Sequence, residues 1–162
     1  MAFYRFQLQS QLSTQDVQGR IRTLVRERPG FGELFKESFT PRAGERPPFI
    51  GEVDGDHFEF YRDIRYRNSF LPRIKGHVSS YPRGTKIDVT MYLHPLVLVF
   101  MLFWLGLAGA GAAATLRHGK PANALVPMGM CVFGVALTLG GFYPEALKAR
   151  RILEEHIGKS ST

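Results

Sequence analysis

TKIDVTMYLHPLVLVFMLFW, residues 85 to 104, changes its period in the middle. Thr85, Ile87, Val89, Met91 and Leu93 alternate with Lys86, Asp88, Thr90 and Tyr92. That two-residue repeat belongs to a strand with one packed face and one wet face. After His94-Pro95 the alternation stops, and residues 93 to 116, LHPLVLVFMLFWLGLAGAGAAATL, contain no Asp, Glu, Lys or Arg. A sheet therefore ends where an uninterrupted apolar run begins, and the two halves of the chain answer to different solvents.

A second charge-free run, PANALVPMGMCVFGVALTLGGFYP, occupies residues 121 to 144. Each run exceeds the roughly 20 helical residues that cross a hydrocarbon core about 30 Å thick. Two buried helices of a soluble core are the alternative, but a small domain has little chain with which to wrap two helices that lack a polar stripe. The opening MAFYRFQLQSQL has no apolar stretch of the signal-peptide kind, so the first run is expected to act as its own insertion signal. Of the 21 Lys and Arg, 15 precede residue 93, Arg117 and Lys120 lie between the runs, and Lys148, Arg150, Arg151 and Lys159 follow them. Arg83 and Lys86 before the first run and ALKARR after the second predict cytoplasmic termini in a cell inner membrane, with residues 117 to 123 outside. Cys131, the single cysteine, lies inside the second run, which excludes a disulfide framework or a CxxC site and suits a reducing cytoplasm.

Upstream, FYRFQLQSQL places Tyr4, Phe6, Leu8 and Leu12 on one face of a half-buried strand. Ser13 with Asp16 three residues later resembles a capping box, and Val17, Ile21, Leu24 and Val25 keep helical spacing to about Glu27. In residues 29 to 48, Phe31, Leu34, Phe35 and Phe39 suit one side of a short helix packed on the sheet, and TPRAGERPP reads as a linker. PFIGEV passes through Asp54-Gly55, a hairpin signal, into HFEFYRDIRYR, and RIKGHVSS and TKIDVTMYL follow. Pro144 suits the first position of a last helix with Arg150/Glu154 and Arg151/Glu155 pairs. The expected architecture is an α+β membrane protein. A small antiparallel sheet domain of order β-α-β-β-β-β over 1–92 precedes transmembrane helices over 93–116 and 124–143, a loop over 117–123, and an amphipathic helix over 144–158.

Within HFEFYRDIRYR, alternation puts Arg65 and Arg67 on the wet face and Arg62 on the packed face with Phe58, Phe60, Ile64 and Tyr66. Arg62 therefore signals a bulge, a sheet margin or a buried pair with a carboxylate. Because His94-Pro95 is the only joint to the first run, the sheet domain hangs close to the headgroups, and Arg65, Arg67, Arg73, Lys75 and Lys86 are the candidates for lipid or partner contact. Glu52, Glu59, Asp63 and Asp88 share their face, so the bland reading is a solvated, salt-bridged surface.

Signatures of catalysis are missing. His57, His77, His94, His118 and His156 show no HxxxH or HExxH spacing, YPRGTK lacks the order of a phosphate-binding loop, and DGDHFE is accounted for by its hairpin. The chain is read as no enzyme, with no catalytic, cofactor-binding or metal-ligating residue. The net charge of +7 is mixed along the sheet and matches no nucleic-acid-binding motif. The runs hold small residues four apart, Gly106 with Ala110, Gly109 with Ala113 and Ala136 with Gly140, which suit close helix packing. The expected partners are membrane lipids with a protein partner or further copies of the chain. The expected role is an anchored binding or regulatory module recognising a protein, a lipid headgroup or a small ligand; the alternative is an oligomerising effector that perturbs the bilayer.

FIGEV-x-GDHFEFYR, RYRNSFLP-x-IKG and GTKIDV-x-MYLHPLV, running into two apolar helices and a short helical tail, resemble a family of small bacterial membrane proteins. The resemblance covers most of residues 49 to 157. It implies the architecture and a bacterial inner membrane, and brings no activity, cofactor or catalytic residue.

Overall fold

The computed structural model describes residues 4–27, 46–119 and 121–161, with side chains up to residue 158. The phenylalanine-bearing segment at residues 29 to 48 lies, apart from its last three residues, outside the described residues. In chain order the elements are β1 (Tyr4–Ser10), α1 (Thr14–Leu24), β2 (Val25–Glu27), β3 (Phe49–Asp54), β4 (His57–Arg62), β5 (Arg73–Tyr81), β6 (Gly84–Tyr92), α2 (Pro95–Arg117), α3 (Pro121–Ile157) and β7 (Lys159–Ser161). The fold is α+β.

Among the described residues the strands form one sheet of order β2-β3-β4-β5-β6-β1-β7. The expected purely antiparallel sheet is corrected to a mixed one, because β2 pairs parallel with β3, Val25 opposite Phe49 and Glu27 opposite Gly51. Helix α1 starts as the sequence says: Ser13 Oγ accepts from the Asp16 backbone N–H at 3.1 Å and donates to Asp16 Oδ2 at 2.6 Å. It stops at Leu24 rather than Glu27, since Val25 is extended (φ −114°, ψ 126°) and the next residues complete the edge of the sheet. The Asp54-Gly55 hairpin is present, with Asp54 opposite His57 and Gly55 at φ +53°.

One face of the sheet is covered. Leu8, Phe49, Phe58, Phe60, Ile74, Val78, Ile87, Val89 and Met91 meet Val17 and Ile21 of α1 and Phe142, Ala146, Ala149, Leu153 and Ile157 of α3 in one buried cluster. Strand β6 alternates buried and half-buried residues along its length, as its sequence demands. Gly76 belongs to this packing, because a Cβ there would meet the Phe58 ring at 1.9 Å. The opposite face carries Lys75, His77, Glu59, Asp88 and Tyr92 and is left uncovered by the described residues.

Helices α2 and α3 are long and apolar enough to cross a membrane. Of the most apolar stretch of each, only 17% and 11% is buried, and Leu96, Phe100, Phe103, Leu107, Leu125, Val132 and Phe133 point outward. Buried core helices would show the reverse. Helix α3 does not break at Pro144: its 37 residues, about 55 Å at 1.5 Å each, run from the apolar hairpin onto the sheet. The separate tail helix over 144–158 is thus the second half of α3. Pro144 lacks an N–H for the Gly140 carbonyl, so the helix continues through it with one backbone bond missing.

Candidate functional site

Register fixes which end of the sheet faces the hairpin. Strand β6 passes into α2 through Leu93 and His94, and Tyr92 lies opposite Arg73 of β5 while Met91 lies opposite Tyr4 of β1. Arg62 at the end of β4 lies opposite Phe49 at the start of β3. The helix-proximal rim therefore holds Tyr4, Phe49, Arg62, Arg73 and Tyr92 and the segment from residue 63 to 72. His94 caps α2, its Nδ1 accepting from the Leu96 N–H at 3.2 Å, with Pro95 at the first turn.

The most developed polar cluster of the described residues lies at this rim. Strand β4 ends at Arg62, where the Asp63 N–H donates to Pro48 O at 2.8 Å, and the chain turns toward α3. Arg62 donates through Nη1 to Glu145 Oε2, Tyr66 donates through its hydroxyl to Glu145 Oε1 at 2.5 Å, and Lys148 Nζ lies 3.0 Å from the same oxygen. Asn68 Nδ2 donates to Gly141 O at 2.8 Å, and Phe70 packs so closely on Gly141 that a Cβ there would meet its own at 2.8 Å. The Glu145 side chain is 3% exposed and that of Arg62 18%. Burial alone would raise the Glu145 carboxyl, but the Tyr66 and Lys148 hydrogen bonds and the Arg62 charge outweigh it and hold it below the ordinary glutamate value. Of the three readings left open for Arg62, the buried pair is the one found.

On the open face Glu59 gathers a second group. Tyr92 donates to Glu59 Oε1 at 2.7 Å, Arg73 Nη1 lies 3.4 Å from the same atom, and Lys75 Nζ lies 3.2 Å from Oε2 and 5.4 Å above the Tyr92 ring. Burial raises the Glu59 carboxyl, and these partners lower it further than burial raises it.

The residues nominated for lipid or partner contact fall into two groups. Arg73 and Lys75 are paired with Glu59, and Lys86 lies 3.5 Å from Asp88. Lys86 is six residues from Tyr92, about 20 Å from the helix-proximal rim, and Arg83 in the far turn is farther still. Neither flanks the first apolar run in space, because β6 runs away from it. Arg65 and Arg67 are not strand residues: both are exposed in the segment after β4, with no ion pair or hydrogen bond among the described residues.

The small residues nominated for helix packing, Gly106, Gly109, Ala110, Ala113, Ala136 and Gly140, are all exposed. The seam between α2 and α3 lies on the opposite faces: a Cβ on Gly134 would meet Met101, Trp104 and Leu105 at 3.3 Å, and one on Gly111 would meet Pro127 at 3.7 Å. Tyr66, Asn68, Phe70 and Glu145 were not anticipated. Glu145 was findable, being the one carboxylate between Asp88 and Glu154, in a chain with an arginine aimed at its own core.

The cluster is structural in its chemistry. It places no nucleophile beside a base, and no group of three metal-ligating side chains occurs among the described residues. No family model, curated protein or solved structure matches the chain, so the resemblance to small bacterial membrane proteins rests on its strand, turn and joint motifs.

Proposed function

We propose that the protein is an anchored binding module of the bacterial inner membrane, its sheet domain and termini in the cytoplasm and α2–α3 as a transmembrane hairpin. The observation that carries this reading is the unbroken course of α3. A domain that only needed tethering would be joined by a flexible linker. Here one helix serves both halves, and the Arg62–Glu145 pair pins the sheet to it at the junction. Such an anchor sets a pose, and the open sheet face is what that pose presents. Outward apolar side chains on both helices support the membrane reading. So does the distribution of basic residues, since Arg62, Arg65, Arg67, Lys148 and Arg151 gather at the sheet end of the hairpin and only Arg117, among the described basic residues, lies at the other.

The effector reading keeps one observation in its favour: the Gly106 and Gly109 faces point away from α3 and are free for a second copy. Native mass spectrometry of the full chain released from nanodiscs of bacterial lipids separates the two. The module predicts a monomer or dimer retaining a ligand or partner, unchanged in Gly106→Leu and Gly109→Leu, whose side chains enter open space. A closed assembly of four or more chains that these variants dissolve would overturn the module.

A further inference from the structure

We infer that the segment between β4 and β5 carries a binding site for the phosphate of anionic phospholipids, formed by Arg65 and Arg67 on either side of Tyr66. The inference rests on the anchored reading and names one of its ligands. Its first support is depth. Residues 121 to 143 span about 34 Å of helix, enough for the hydrocarbon core, so the next turn enters a headgroup layer about 5–8 Å thick. Asn68 is bonded to Gly141 and Tyr66 to Glu145, four residues and about 6 Å of rise apart, which holds the segment beside that turn. Tyr66 and Tyr143 are 54% and 39% exposed at the same level, the aromatic placement that marks a membrane interface.

The second support is charge without partners. At this end of the sheet Arg62 and Lys148 belong to Glu145 and Arg73 belongs to Glu59. Arg65 and Arg67 alternate with Tyr66, whose hydroxyl is turned inward to Glu145, and have no carboxylate within ion-pair distance among the described residues. A guanidinium presents paired N–H donors to phosphate oxygens, and anchoring of the segment at three points lowers the ordering cost of binding. The occupant is the lipid of the surrounding leaflet, because the same contacts that anchor the segment keep it at headgroup depth.

The test is retention of phosphatidylglycerol over phosphatidylcholine by the full chain in nanodiscs of mixed composition, read by native mass spectrometry. Arg65→Gln and Arg67→Gln should each weaken the preference about fivefold. Arg83→Gln, which removes the same charge at the far turn, should leave it unchanged. Equal preference in Arg65→Gln/Arg67→Gln and the original chain overturns the inference, and so does an equal loss in Arg83→Gln, which would make the preference one of net charge. Displacement of the lipid by millimolar glycerol phosphate would show a small-anion site and also overturn it. Failure of the chain to enter nanodiscs overturns the anchored reading as well, whereas normal entry with unchanged lipid retention overturns the inference alone.

Discussion

Glu145 is held by three donors from two directions, Arg62 and Tyr66 from the sheet side and Lys148 from its own helix, and its carboxyl titrates below the ordinary glutamate range. A carboxyl with a lowered folded-state pKa binds fewer protons folded than unfolded. Its stabilisation is therefore present above the ordinary value and lost as pH falls through the folded one. Glu145→Gln should cost about 3 kcal/mol at pH 7, the low end for breaking a buried pair, because Arg62 keeps some contact with water. In melts of the full chain in detergent from pH 7 to 3, the variant should start lower and fall less steeply. An acid slope equal to that of the original chain would contradict the role given to this pair. Glu59, shifted in the same direction, supplies the slope that remains. At this scale the sequence marked Arg62 as out of pattern and left a bulge, a sheet margin and a buried pair open, because alternation places residues only relative to their own strand. The partner came from a helix 83 residues away.

Each half of α3 is legible as a helix, and the join between them is not. Pro144 marks a first turn more readily than a helix interior, where it leaves the Gly140 carbonyl without its partner. The same ambiguity hid β2, since Val25 continues the helical spacing of α1 while its neighbours in space recruit it to an edge. Strand β4 was read too long because the alternation of Ile64 and Tyr66 continues past the residue where the segment turns to dock. By contrast the Asp54-Gly55 hairpin and the Ser13 cap were read directly, being governed by contacts within a few residues, and β6 was read from its unbroken alternation. Adjacent glycines give a test of the docked segment. Gly141→Ala forces a Cβ into Phe70 and should cost about 1–3 kcal/mol, with faster amide exchange over residues 63 to 72. Gly140→Ala meets open space and should be neutral or stabilising by up to about 1 kcal/mol. Equal effects of the two would argue against that contact.

For the whole molecule, one prediction concerns sidedness. In a Cys131→Ser background, Arg83→Cys should be protected from an impermeant maleimide added outside intact cells, while His118→Cys at the α2–α3 turn should be labelled. The reverse pattern would invert the proposed topology. A second consequence belongs to mechanics. From residue 143 to Ile157 α3 extends about 21 Å beyond its apolar half as one continuous helix, with Pro144 at the join. In a bilayer the tilt of a span responds to hydrocarbon thickness. A change of 10° would sweep the far end of the helix through about 4 Å, and the sheet packed on it would travel too. The helix is thus a lever arm whose short stroke in the lipid becomes displacement of the exposed face, so lipid composition enters the protein's geometry as a length.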